Sequence, residues 1–166
     1  MYLLLGKTSI IYGGGSIGNW GTEEVNLLDE KKGCKIPNLP KYINKPSIFQ
    51  HKKYVLICGG EYNEKGCMKL DGDKWSSSIP LIYERSQPTV IAMKDEVFIL
   101  GGRSNPTTSE ILKHDSDSWI EGPIIPSPGI DRGCGVRISD QEFLLIGGSW
   151  SENRVLKYNV HAVLFW

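Results

Sequence analysis

Four times in this chain an apolar run ends in a pair of glycines: Ile11-Tyr12-Gly13-Gly14, Ile57-Cys58-Gly59-Gly60, Ile99-Leu100-Gly101-Gly102 and Leu145-Ile146-Gly147-Gly148. The pairs follow one another at intervals of 46, 42 and 46 residues. One glycine pair marks any turn. Four in phase, each closing an apolar run, declare an internal repeat, and a repeat limits the fold more than any single motif does. Each unit is then one supersecondary element that buries its apolar face against its neighbours.

The units read as short strands. In the third, Thr89 to Met93 and Glu96 to Leu100 flank a Lys94-Asp95 turn; Glu110 to His114 and Trp119-Ile120 follow. The second repeats this with Ser47 to Gln50, Tyr54 to Cys58, Cys67 to Leu70 and a strand opened by Trp75. The first has Tyr2 to Leu5, Ser9 to Tyr12, Glu24 to Leu28 and Cys34 to Ile36; the fourth has Cys134 to Ile138, Glu142 to Ile146 and Val155 to Tyr158. Runs this short, bounded by turn residues, favour strands over helices. No segment sustains a 3.6-residue apolar period. The 19 Gly and 9 Pro residues suit a chain of many turns.

Composition removes several function classes. Nineteen basic residues balance nineteen acidic ones, so no electrostatic pull toward nucleic acid or an anionic membrane is expected. No apolar stretch approaches the roughly 20 residues of a spanning helix, and Met1 to Lys7 lacks the basic region and long apolar core of a signal peptide. Cys34, Cys58, Cys67 and Cys134 show no metal-ligand spacing. They are either reduced thiols or disulfide partners in an exported protein. Cys58 and Cys67 stand on neighbouring strands and can pair if they fall opposite each other.

The units agree beyond the glycines. Leu70-Asp71 precedes Trp75 as His114-Asp115 precedes Trp119, Leu28-Asp29 leads to Cys34, and Tyr158-Asn159 holds the same place in the fourth unit. Pro37, Pro80 and Pro123 follow the Trp position, and Arg85 and Arg132 precede the next unit's first strand. An apolar run into Gly-Gly, a variable loop, an aromatic or apolar residue with Asp, then Trp, resembles the kelch repeat, whose unit is one four-stranded blade of a β-propeller. The resemblance runs from about Tyr2 to Tyr158. Departures are Leu28, Leu70 and His114 in place of the aromatic, and the Trp missing from the first unit. Cys34 before Pro37-Asn38-Leu39-Pro40, with Cys58 and Cys67, is also similar to kelch-type repeats of secreted invertebrate proteins.

The expected fold is an all-β, kelch-type β-propeller with about four blades, in approximate units 1–40, 41–84, 85–130 and 131–166. The chain starts almost inside a strand and ends in the apolar Val163 to Trp166, which suggests part of a larger propeller; a closed four-bladed ring is the alternative. The glycine pairs have a backbone role, since no helix follows them to hold a phosphate. Trp75 and Trp119 are expected to pack between blades. Asp71, Asp73, Asp115 and Asp117 are expected to fix turns.

The resemblance implies that the loops after the glycines and between blades form one face that takes up a protein or peptide. Candidate binding residues there are Trp20, Tyr62, Asn63, Arg85, Arg103, Asn105, Arg132 and Trp150. The competing reading pairs Arg85 with Glu84 and Arg132 with Asp131, and lets the loop tryptophans cap blade edges. The histidines, His51, His114 and His161, show no metal-ligand spacing, and no nucleophile–base arrangement stands out. The expected function is therefore a non-catalytic protein-interaction module, without catalytic residues, metal or cofactor. The alternatives are a remnant of a galactose-oxidase-like copper enzyme and an extracellular adhesion or matrix propeller; pairing of the cysteines would favour an extracellular location.

Overall fold

The structure, a computed structural model, describes residues 39–41, 43–61, 65–149 and 153–160, together with three strands nearer the N-terminus. Gly13-Gly14, Trp20, Cys34, Tyr62, Asn63, Trp150, His161 and the final apolar run lie outside the described residues. Every regular element described is a strand. No helix among the described residues is long and apolar enough to cross a membrane.

Four antiparallel sheets follow one another along the chain. The first holds β1 (Tyr2–Leu5), β2 (Thr8–Tyr12) and β3 (Val25–Leu27). The second holds β4 (Ser47–His51), β5 (Tyr54–Cys58), β6 (Cys67–Asp71) and β7 (Lys74–Ser78). The third holds β8 (Thr89–Ala92), β9 (Glu96–Leu100), β10 (Ser109–Lys113) and β11 (Trp119–Glu121). The fourth holds β12 (Cys134–Arg137), β13 (Glu142–Ile146) and β14 (Val155–Asn159). Each sheet is a meander in chain order. First strands lie side by side, β1 against β4, β4 against β8 and β8 against β12. This is the all-β arrangement of successive propeller blades, four of them among the described residues.

The pairing explains why the second strand of each blade is apolar without a break. Side chains alternate between the two faces of a strand, and in the third sheet both faces of β9 are covered. Val97 and Ile99 of β9 point toward the second sheet and pack with Phe49, Leu56 and Cys58. Phe98 and Leu100, one residue on, point the other way and pack with Phe143, Leu145, Leu156 and Tyr158 of the fourth sheet. Each such side chain contributes about 1.5–3 kcal/mol through burial. Trp119 is buried in the same interface, edge-on to Phe49 at 6.1 Å between centroids. Trp75 is half-buried against the cluster on the far side of the second sheet.

Cys58 and Cys67 are direct cross-strand partners, Cα atoms 4.1 Å apart, and are joined by a disulfide inside the interface of the second and third sheets. Cys134 is a free, exposed thiol.

The glycine pairs work as joints. Gly59, Gly101 and Gly147 each close their own hairpin, donating to Gly66, Thr108 and Arg154 carbonyls at 2.8–2.9 Å. The second glycine reaches the following interblade loop: Gly60 N–H donates to Arg85 O at 2.8 Å and Gly102 N–H to Ile130 O at 2.9 Å. The next residue reaches the preceding loop, Glu61 to Asn44 O, Arg103 to Ser86 O and Ser149 to Asp131 O. Gly101 has φ 64° and Gly102 φ 102°, and a Cβ on Gly101 would stand 2.2 Å from the Ile130 carbonyl oxygen. Only glycine accepts both the conformation and the approach.

Candidate interaction face

The bonds at the glycines put the interblade loops into register. Ile43, Arg85 and Ile130 are equivalent by their contacts with the glycine joints, so Asn44, Ser86 and Asp131 come next and Lys45, Gln87 and Arg132 follow. Lys45, Gln87 and Arg132 share one backbone conformation, left-handed with φ 54°, 55° and 59°. Side chains other than glycine visit this region rarely. They are held there by one another: Gln87 N–H donates to Lys45 O at 3.1 Å, and Arg132 N–H to Gln87 O at 3.3 Å. A backbone ladder therefore crosses three successive loops.

Polar side chains cluster on this ladder. Arg132 Nε donates to Gln87 Oε1, and lies 3.9 Å from Asp131 Oδ2. Lys45 Nζ donates to Glu61 Oε1 at 2.7 Å, and Asn44 Nδ2 to Glu61 Oε2 at 2.7 Å. The Lys45 hydrogen bond, with lesser help from Asn44 and the charge of Arg103, holds the Glu61 carboxyl below its ordinary range. Arg103 and Arg132 are exposed. Asp131 is buried, and its Oδ1 has no hydrogen-bond partner among the described residues. The result is a row of donors and acceptors of both signs, at spacings fixed by backbone bonds.

Arg85 is not part of this face. It was expected beside Arg132 at the mouth of an interblade loop, yet it stands two positions earlier in the register and points inward. Its side chain and that of Glu110 are both 0% exposed, with Nε 2.7 Å from Glu110 Oε1. Its remaining donors meet carbonyls of Gly101 at 2.5 Å, Thr108 at 3.0 Å and Asn105 at 3.3 Å, and Thr108 Oγ1 at 2.9 Å. Glu110 also accepts from Ile82 N–H at 2.6 Å and Tyr83 N–H at 3.1 Å. Burial pushes the guanidinium below the usual arginine range, and Glu110 opposes this. The expected partner was the adjacent Glu84. The actual one lies on β10, because the loop folds its arginine under the third sheet's hairpin.

Asn105 is half-buried, and its amide donates to Glu84 O at 2.9 Å. It pins two loops together rather than facing solvent. Of the eight candidates, Arg103 and Arg132 stand exposed at the same end of the sheets. Lys45, Gln87 and Glu61 were missed. The signal was present as Lys45-Pro46 and Gln87-Pro88, equivalent dipeptides immediately before a first strand. Among the described residues no group of three or more His, Cys, Asp or Glu side chains gathers as a metal site.

Kelch-like protein 22 of Rattus norvegicus is 28% identical over 83 residues, covering 42% of this chain and 13% of the relative. Kelch-like protein 22 of Mus musculus matches with the same identity and extents. The chain resembles a Kelch-like protein. The matched region spans only 13% of those relatives. No protein-family model matches the chain. The all-β sheets and this similarity together give the fold as a kelch-type β-propeller.

Proposed function

We propose that the chain is a non-catalytic protein-interaction module that takes up a protein or peptide across its loop face. The observation that carries this reading is the ladder of Lys45, Gln87 and Arg132, with Glu61 and Arg103 beside it. Left-handed backbone at non-glycine residues costs about 1–3 kcal/mol each. Here the strain holds polar side chains at a surface, where loops on a rigid scaffold carry function. Mixed charge suits a polar protein surface better than a uniformly charged polymer. The similarity to Kelch-like protein 22 supports the same class. Each approximate unit, 1–40, 41–84, 85–130 and 131–166, would supply one stretch of the face, with Tyr62, Asn63 and Trp150 following the glycine pairs in sequence.

The test is selection from a displayed peptide library on the immobilised chain, followed by affinity measurements with Arg103→Ala, Arg132→Ala and Lys45→Ala. The reading expects selected peptides to lose about tenfold in affinity, or ~1.4 kcal/mol, with at least one variant whose melting temperature is unchanged. Peptides that bind all three variants as well as the parent would refute the assignment of this face.

A further inference from the structure

In three of the units the strand register sets equivalent side chains apart by their chemistry. Three residues before the glycine pairs stand Leu56, Phe98 and Leu144, and opposite them on the next strand are Lys69, Ile111 and Lys157. Five residues before the pairs stand Tyr54, Glu96 and Glu142. Ile111 packs against the core shared by the third and fourth sheets. Lys157 is neutralised by Glu142, with Nζ 2.8 Å from Oε1. Lys69 has Tyr54 where that carboxylate would stand. Its Nζ lies 4.6 Å from the centre of the Tyr54 ring, and it forms no ion pair among the described residues. The first strand of the second sheet carries another exchange. His51 is opposite Tyr54 as Met93 is opposite Glu96, so a buried imidazole replaces a buried thioether. His51 is 5% exposed, and its Nδ1 has no hydrogen-bond partner among the described residues. An unsatisfied polar group at such a position carries a cost that methionine avoids.

Both exchanges line one cleft between the second and third sheets. Its volume of about 460 Å³ falls within the roughly 300–1,000 Å³ of small-molecule sites. Leu56, Ile79 and Leu112 give it apolar walls. The charges around it cancel in pairs, with one left over. Lys52 is 3.2 Å from Asp117 across the seam, and Lys53, at the same turn, is 3.6 Å from Asp71. Lys69 is the remaining cation. A single ammonium beside apolar walls matches a ligand with one negative charge and an apolar body. We propose that this cleft binds a small apolar monocarboxylate, its carboxylate on Lys69 and its apolar body against Leu56, Ile79 and Leu112. His51 and Ser78 line the same cleft and can each donate to a carboxylate oxygen. The cleft lies between sheet faces, apart from the loop ladder, so this site and the proposed interaction face stand or fall separately.

The test is titration calorimetry of the whole chain at neutral pH with three probes: 1-naphthoate, its uncharged counterpart 1-naphthamide, and the dianion 1-naphthyl phosphate. The expected result is saturable one-to-one binding of 1-naphthoate with a Kd below about 1 mM. The amide and the phosphate should each bind at least about tenfold more weakly. Methyl resonances of Leu56, Ile79 and Leu112 should shift as the naphthyl ring arrives. Lys69→Ile installs the residue of the third unit and should lose about tenfold in affinity without lowering the urea midpoint, whereas Lys69→Arg keeps the charge and should stay within about threefold of the parent. The comparison of probes on the parent chain decides the matter even if a variant fails to fold. A Kd for 1-naphthoate above about 1 mM overturns the proposal. Equal affinity for the amide overturns it as well, since charge then plays no part, and tighter binding of the phosphate overturns the choice of a monoanion. Binding that leaves those methyl groups unmoved, or survives intact in a folded Lys69→Ile variant, places the ligand elsewhere and also overturns it.

Discussion

Removing the charge of Glu110 should be among the most damaging conservative changes in the chain. Glu110→Gln keeps the volume but takes the counter-charge from a guanidinium with no exposed surface. It also aims amide hydrogens into a pocket built of donors, the N–H groups of Ile82 and Tyr83 and Arg85 Nε. Breaking a buried pair from one side costs about 3–5 kcal/mol, because the remaining charge stays uncompensated. In a chain of this size 1 kcal/mol shifts the melting temperature by about 2–4 °C, so a fall of roughly 6–20 °C is expected. Arg85→Met should cost a similar amount, by stranding the carbonyls of Gly101 and Thr108. The double variant Arg85→Met/Glu110→Gln should fall short of the sum by about 1–3 kcal/mol, since the two residues form one network. Urea titration followed by tryptophan fluorescence measures all three. Amide exchange at Ile82 and Tyr83 should accelerate in both single variants. A Glu110→Gln loss below about 1 kcal/mol, or strict additivity in the double variant, would show that the pair does not hold the loop.

Other outcomes follow from single features. Burial first, then His114 and Lys52, lower the His51 imidazole from its ordinary value of about 6.5, against a smaller opposing effect of Asp117. The folded chain therefore binds fewer protons than the unfolded one below about pH 6.5. Stability should fall as pH drops through that value toward the lower folded pKa, and His51→Phe should flatten this segment of a pH series of urea midpoints. The Tyr158 hydroxyl is buried without a hydrogen-bond partner among the described residues, and burial pushes its pKa to about 12. Tyr158→Phe should leave stability unchanged or raise it by up to about 1 kcal/mol in the same titration. Gly72 has φ 62° and open space where a Cβ would stand, so Gly72→Ala should cost about 1 kcal/mol. Gly101→Ala meets the Ile130 carbonyl as well and should cost at least twice that, read from denaturation midpoints.

The fold was legible because its signals are local and repeated. β5, β9 and β13 coincide with the apolar runs before each glycine pair, and the predicted Lys94-Asp95 turn joins β8 to β9. Strand ends moved by a residue where the ladder continued into polar positions, as at His51, Asp71 and Asn159. The candidate face was less legible. Arg85 and Arg132 both precede a first strand, but by four residues and by two, and the register set by backbone bonds from the glycines matches Arg85 with Ile130 instead. Burial of Arg85 depends on Glu110, 25 residues away and on another element. Nothing in the local sequence announces that pairing. Lys45 and Gln87 carry no unusual chemistry; each precedes a Pro before a first strand, and their shared left-handed backbone marks them as a set with Arg132.

The glycine joints change what counts as a module in this protein. Residues 85 and 86 are adjacent, yet one carbonyl serves Gly60 in the blade behind and the other serves Arg103 in the blade ahead. Each connector is a shared hinge pin, so neither flanking blade can be lifted out without unseating the other. In a linear array of repeats, stability divides into intrinsic and nearest-neighbour parts. This wiring places a large share in the neighbour part. Duplication or exchange of units would then succeed with cuts inside a blade, in the stretch after a glycine pair, where no shared connector is severed. Cuts in the connectors, although they look like natural borders, would break two joints at once.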